Sequence, residues 1–385
     1  MASPTFASLA TQHALEQLAF NESQSRLPRR AIPKVQWSDV TVDMTIGTGT
    51  YCRVHMVRLD STSGVLEDAY ALKALRPKTK ESENSFRIGA SDLALEGSIL
   101  SRLHHENIVQ LHGVGHGSIS QAFADTDEGY FLVLDLLTDT LKDRMIRWRR
   151  EINSCKASLV LARRTRHLKS SAILGRVERV AVGLVNGMKY LHDNNVVLRD
   201  LKPDNVGFDQ YGKVKLFDFG FAREVHACDS NEIAGSLRYM SPENMHGNPS
   251  GLASDVYSFG VLLWELCTLE KAYAKFETQN DLFRKKVAVE QWRPSLLSIR
   301  SKPLRDLISR SWDASPANRP TFTEIQQDLE AVLISLKSSE EDAQSLSQHK
   351  KTGDTVIRST AMRKIIRCLS SSTHSSSSTQ SFASR

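Results

Sequence analysis

Between Val196 and Asn205, the residues Asp200, Lys202 and Asn205 set a carboxylate, an ammonium and an amide within six positions of one loop. Asp218-Phe219-Gly220 follows, beginning thirteen residues after Asn205. This combination suits chemistry at a phosphoryl group. A carboxylate accepts a hydroxyl proton, a cation neutralises the moving phosphate, and hard oxygens hold Mg²⁺.

The chain of 385 residues is 40% apolar, enough for two lobes with a sizeable core and a tail. Its apolar runs are shorter than the ~18 to 20 residues needed to cross a bilayer, and its start lacks a secretory pattern. A transit peptide is disfavoured by Glu16 and Glu22, and by the lack of arginine before Arg26. The five cysteines, Cys52, Cys155, Cys228, Cys267 and Cys368, are scattered and read as reduced thiols of the cytoplasm or nucleus. The histidines form no metal-ligand spacing.

Trp37 to Lys73 reads as three strands. Thr41, Asp43 and Thr45 alternate with Val42, Met44 and Ile46, the period of a half-buried strand. Gly47-Thr48-Gly49 then lets the backbone bring N–H groups near phosphate oxygens, although a Gly-x-Gly alone also fits a hairpin turn. Lys73 lies in the apolar run Tyr70 to Leu75, where an ammonium needs a partner. Tyr130 to Leu137 is a further apolar strand. Leu141, Met145, Trp148 and Ile152 form one helical stripe, and Ile173, Val177, Val180, Leu184, Met188 and Leu191 form a longer one. Between them lies a basic insertion at about residues 142–170, with Arg147, Arg149, Arg150, Lys156, Arg163, Arg164, Arg166 and Lys169 opposed by Glu151. It reads either as a solvated face or as a docking surface for acidic proteins or anionic lipid.

These motifs, in this order, resemble the eukaryotic protein kinases and, within them, the tyrosine-kinase-like group of Ser/Thr kinases. The resemblance covers about Val35 to Leu336. It implies an α+β fold with a β-rich N-lobe (35–137), a helical C-lobe (138–336) and an ATP cleft between them. It assigns Asp200 as catalytic base and Lys202 as partner of the γ-phosphate, with Asn205 and Asp218 as Mg²⁺ ligands. Ile46, Gly47, Gly49, Val54, Ala71, Asp135 and Leu137 would surround ATP, with Leu134 at the back, and Lys73, paired with Glu96, would hold the phosphates. Ser236 corresponds to the residue whose hydroxyl bonds the catalytic Asp and Lys. Asp255 would cap the catalytic loop, and Arg319 would pair with Glu243. The implied activity is transfer of the γ-phosphoryl of MgATP to Ser or Thr of a protein substrate. No specific nucleic acid is expected as a partner.

Cys52, Leu198 and Gly207 depart from the family pattern, and Gly97 adds a local weakness. Cys52 replaces a glycine and should stiffen the loop. Gly97 lowers helix propensity beside Glu96 and suggests a helix that shifts easily. Leu198 replaces a histidine. Gly207 replaces a branched residue beneath the adenine, so Gly207→Leu is expected to fill a missing floor and tighten ATP binding. These changes motivate a rival reading, a pseudokinase scaffold, against which stand Lys73, Glu96, Asp200, Lys202, Asn205 and Asp218. A dinucleotide-binding dehydrogenase would need a helix after Gly-x-Gly, where this chain offers a strand. Arg199 and Arg223 read as a regulatory pair that a phosphate on Ser230 would engage, with Asp229 and Glu232 as alternative partners for Arg199.

Residues 1–34 read as a disordered leader. Residues 337–385 read as a disordered Ser-rich tail containing a short basic amphipathic segment at 356–369, either a frayed helix or one that binds an anionic membrane or a partner groove.

Overall fold

The computed structural model describes residues 25–59, 69–116, 130–156, 172–228, 234–276 and 278–349, together with Gln12, Leu15, Glu16, Leu18, Ala19 and Ser23. Among these, a six-stranded sheet builds the N-lobe from β1 (Lys34–Val35), β2 (Val40–Thr48), β3 (Cys52–Leu59), β4 (Ala69–Leu75), β5 (Leu111–Gly115) and β6 (Phe131–Asp135), in the order β1-β5-β6-β4-β3-β2. Central β6 is apolar at every position from Phe131 to Leu134 because both of its faces are covered. On one face Phe131 and Val133 pack with Val35, Val57 and Leu72. On the other, Leu132 and Leu134 join the main core with α1 (Glu83–Leu100).

The β2 alternation identifies a strand, but Val42 and Met44 remain 42% and 55% exposed. The strand is outermost in the sheet, so its apolar face meets no second layer.

The C-lobe follows with α2 (Leu141–Lys156), α3 (Val182–Asp193), α4 (Leu252–Thr268), α5 (Lys302–Ser311) and α6 (Phe322–His349). Helix α4 is buried continuously from Ser254 to Cys267, as its run of apolar residues on every side requires. The stripe Val177, Val180, Leu184, Met188 and Leu191 is buried against this core, with one π turn at Val177–Ala181 before α3. The short strand β7 (Asp139–Thr140) leads into α2, and β8 (Val196–Val197), β9 (Val206–Phe208), β10 (Val214–Leu216) and β11 (Arg223–Glu224) lie between α3 and α4, forming sheets β10-β9-β7 and β11-β8.

Three sequence expectations change. Residues 25–34, read as leader, lie against the N-lobe, held by backbone bonds such as Arg30 N–H to the Ser101 carbonyl and Val114 N–H to the Pro33 carbonyl. Their polar, proline-containing sequence shows no apolar period because the main chain makes much of the contact. At the other end, α6 continues past Leu336 to His349, carrying on the helix that Ile325, Leu329 and Val332 bury against the core. Third, part of the basic insertion is compensated locally. Arg144 and Arg147 both bond Asp139, and Arg149 donates to the Leu269 carbonyl. The rest of the insertion from residue 157, and the 356–369 segment, lie outside the described residues.

Candidate active site

Helix α1 begins at Ser82, whose hydroxyl accepts from Ser85 N–H, and carries Glu96 toward the sheet. Lys73, on β4, donates to Glu96 Oε2 at 2.6 Å and to Asp218 Oδ1 at 2.8 Å. Burial pushes the Lys73 ammonium down, but the two carboxylates outweigh it and raise it, so the side chain is charged. Lys73 in turn holds the Asp218 carboxyl low against the effect of its burial. Burial raises the Glu96 carboxyl, opposed by Lys73 and by the N–H of Phe219, which donates to Glu96 Oε1. One ammonium thus ties the sheet, the helix and the Asp218 loop together. Gly97 has a packing reason rather than a loosening one. A β-carbon there would stand 2.5 Å from Tyr130 Oη and 2.8 Å from Leu132 Cδ2, so glycine lets α1 approach β6.

The loop of the first motif forms a second cluster. Lys202 donates to Asp200 Oδ2 at 2.6 Å and to Ser236 Oγ at 2.9 Å. Asn205 Nδ2 donates to Asp200 Oδ2 at 2.9 Å and to the Asp200 carbonyl at 3.0 Å. Ser236 reaches Asp200 through its backbone N–H, 2.9 Å from Oδ1, so the serine divides its contacts: main chain to Asp200, hydroxyl to Lys202. Three donors therefore fix one carboxylate, which is almost wholly buried.

Asp255 of α4 supports this loop from below by accepting from the N–H groups of Leu198 and Arg199 at 2.8 and 2.9 Å. His192, which sequence reading passed over, adds a contact to the same carboxylate at 3.1 Å. Leu198, Phe219 and Leu100 are all buried in the main core, so the leucine in place of histidine is absorbed by packing. Arg319 forms a bidentate pair with Glu243 at 2.6 and 2.8 Å.

A cleft of about 620 Å³ opens between the lobes. Ile46, Gly47, Gly49, Val54, Ala71, Leu134 and Leu137 line it, with Lys73, Glu96, Asp135 and Asp218. Cys52 also lines it, but burial pushes its thiol up to about 12, against the pull of Lys73, so it is a neutral wall. Beneath the cleft the expected gap at Gly207 is absent. A β-carbon there would stand 2.5 Å from Leu137 Cδ1 and 3.2 Å from Phe217 Cε1, because these two side chains already occupy the floor. Sequence reading missed this compensation, since neither residue is near Gly207 in the chain.

It also missed the role of the Asp135 side chain. Its carboxylate accepts from Gln110 N–H at 3.0 Å, meets His112 Nε2 at 2.7 Å and pairs with Lys215 Nζ at 3.0 Å. Gln110 and His112 belong to the N-lobe and Lys215 to β10, so one carboxylate bridges the lobes behind the cleft. Burial pushes this carboxyl up, but the bonds from His112, Gln110 N–H and Lys215 dominate and hold it at about 2.

Arg199 and Arg223 are both buried, and Arg223 Nη1 donates to the carbonyls of Gly220 and Ala222. Ser230, with Asp229 and Glu232, lies outside the described residues. Among the described residues no helix is long and apolar enough to cross a membrane, and no cluster of three His, Cys, Asp or Glu side chains is placed to hold a metal.

A family model described as "Protein kinase domain" matches residues 40–329. The dual specificity protein kinase shkC of Dictyostelium discoideum is 27% identical over 312 residues, covering 80% of this chain and 54% of that protein. The dual specificity protein kinase shkD of the same organism is 31% identical over 242 residues, covering 62% of this chain and 29% of shkD. The serine/threonine/tyrosine-protein kinase HT1 of Arabidopsis thaliana is 30% identical over 263 residues, covering 68% of this chain and 60% of HT1. The chain spans between about a quarter and a little over half the length of the shk kinases it matches. With the match across both lobes, the ordered motifs and the interlobe cleft, this chain belongs to the protein kinase family.

Proposed function

We propose that this chain transfers the γ-phosphoryl group of MgATP to Ser or Thr hydroxyls of proteins. The observation that carries the reading is the single connected cluster of Asp200, Lys202, Asn205 and Ser236, adjoining the Glu96–Lys73–Asp218 bridge.

The residues fit the nucleotide and the cation. Ile46, Val54, Ala71 and Leu137 enclose an apolar slot for a base, and Gly47 and Gly49, without side chains, line the same cleft where the phosphates would lie. Asn205 donates its amide N–H groups to Asp200, which leaves its amide oxygen, with the Asp218 carboxylate, as hard ligands for Mg²⁺. When bound, MgATP supplies the transferable phosphoryl group and a cation that offsets its charge.

The protein's part is positioning. Asp200 orients the acceptor hydroxyl and takes its proton, while Lys202, fixed by Ser236, faces the developing negative charge. Lys73 steadies the phosphates. A second hollow of about 570 Å³, lined by Lys142, Arg149, Lys202, Ser236, Arg238 and Phe276, lies beside Lys202 and gives a polypeptide room to approach. Lys202, two residues after Asp200 and bonded to the Ser236 hydroxyl, supports Ser/Thr as acceptors.

The test is phosphotransfer from labelled ATP to a generic basic protein, followed by identification of the phosphorylated amino acid. Label on Ser and Thr, abolished by Asp200→Asn, is the expected result. Label on Tyr as well would move this chain toward the dual-specificity behaviour named for the shk kinases. Undiminished transfer by Asp200→Asn would overturn the mechanism.

A further inference from the structure

We infer that Arg30, in the segment preceding the catalytic domain, is a positioning residue for phosphotransfer: it holds the helix that carries Glu96. The inference rests on the role given to Glu96 above.

An α-helix leaves its last carbonyls without intrahelical partners, and these carry the negative end of the helix dipole. At the end of α1 the local chain meets part of this need. Ser101 N–H donates to the Gly97 carbonyl, Ser101 Oγ to the Ser98 carbonyl, Arg102 N–H to the Ile99 carbonyl and Leu103 N–H, at a long 3.4 Å, to the Leu100 carbonyl. Arg30 meets more of it from outside the helix. Its guanidinium Nη2 donates to the Leu100 carbonyl at 3.2 Å and its backbone N–H to the Ser101 carbonyl at 2.9 Å. A cation at this end also opposes the dipole. Glu96 lies one turn earlier on the same helix, so a shift of this end moves the carboxylate that Lys73 meets at 2.6 Å.

Arg30 is itself anchored on both sides. Arg102 Nη1 donates back to the Leu27 carbonyl at 2.6 Å, and Leu27 and Ile32 pack on the main core. Beyond Arg30, Lys34 and Val35 pair in parallel with Val114 and Gly115. On the near side, Arg26 N–H reaches Glu224 Oε2 on β11, the strand that pairs with β8 just before the catalytic loop. The segment therefore runs from the start of the activation segment, across the end of α1, to the sheet. These are three places whose relative arrangement sets the Glu96–Lys73–Asp218 bridge.

The test uses the full chain and two kinds of reading. In hydrogen–deuterium exchange, Arg30→Ala should speed exchange of amides in 93–103 by about tenfold, the loss expected for one charged hydrogen bond, while α4 is unchanged. In steady-state phosphotransfer the same variant should lower kcat/KM for ATP about tenfold, with Arg30→Lys intermediate because it keeps the charge and one reaching donor. A cycle with Glu96→Gln, read in ATP dissociation constants so that no turnover is needed, should be non-additive, with Arg30→Ala adding less than about twofold in the Gln background. Unchanged exchange at 93–103 overturns the inference whatever the activity. Faster exchange with unchanged kcat/KM, or full additivity with Glu96→Gln, leaves Arg30 a structural residue and overturns its positioning role. If Arg30→Ala does not fold, the three readings are taken on Arg30→Lys, where the same outcomes decide. A wild-type chain without phosphotransfer refutes the proposed function and the positioning role together, whereas the exchange reading still reports whether Arg30 holds the helix.

Discussion

Leu137 occupies the space that a side chain on Gly207 would need, with its Cδ1 only 2.5 Å from where a β-carbon would stand. The glycine beneath the cleft is therefore matched by a neighbour. Gly207→Leu has to displace Leu137 and Phe217, which line the cleft, and is expected to weaken ATP binding by up to about tenfold, since overpacking costs about 1 to 3 kcal/mol. Titration calorimetry with ATP checks this. Tighter binding would show that Leu137 and Phe217 give way and that the floor does want filling.

The Asp135 bridge predicts a defined pH dependence. Its carboxyl is held at about 2 in the folded chain, below the ordinary 3.8. A depressed carboxyl stabilises the fold fully above about pH 4, and that stabilisation is lost as pH falls through the folded value near 2. Because the group is partly open to solvent, its share is about 1 kcal/mol rather than the full value of the shift. Urea unfolding should show Asp135→Asn less stable than wild type at pH 7, with the gap narrowing below pH 4. A gap independent of pH would assign the loss to packing instead of charge.

Gly235 has φ of +96°, and a β-carbon there would stand 2.3 Å from the Arg199 carbonyl oxygen. Gly235→Ala has to move the segment carrying Ser236 away from Asp200, at a backbone cost of about 1 to 3 kcal/mol. Turnover should fall by more than about a hundredfold, the loss expected when reacting groups shift by about an ångström, with a smaller fall in melting temperature. Near-normal turnover would mean that the Ser236 contacts to Asp200 and Lys202 do not set the rate.

Arg319 has no exposed side-chain surface and meets both oxygens of Glu243. Arg319→Met should destabilise the chain by about 3 kcal/mol, because it strands the half-buried Glu243 carboxylate. The double variant Arg319→Met with Glu243→Leu should recover part of this, as measured by denaturant unfolding. No recovery would place the loss in the Arg319 bonds to the Asp313 and Ala253 carbonyls.

The residues of the cleft and of the Asp200 cluster were legible because each sits in a short motif whose chemistry is local. Asp200, Lys202 and Asn205 share a loop, and a lysine inside an apolar strand announces its need for a carboxylate. The stripes of α2 and α3 were legible for a similar reason, since burial on one side imposes a period on sequence. What escaped was compensation between distant positions. Leu137 fills for Gly207, Lys215 crosses the lobes to Asp135, and Tyr130 packs where Gly97 has no side chain; nothing in either partner's neighbourhood signals the other. The segment from residue 25 to Val35 escaped for another reason. It binds largely through carbonyl and N–H groups, which every residue carries alike.

That segment has a consequence for how the chain behaves away from its chemistry. With Lys34 and Val35 in place, Val114 N–H and His116 N–H are bonded to the Pro33 and Val35 carbonyls. A chain begun at Trp37 would leave β5 as a bare edge strand beside the largely apolar β6, an open template for strands of other molecules. Such a truncation would lose solubility even if every residue in the cleft kept its place.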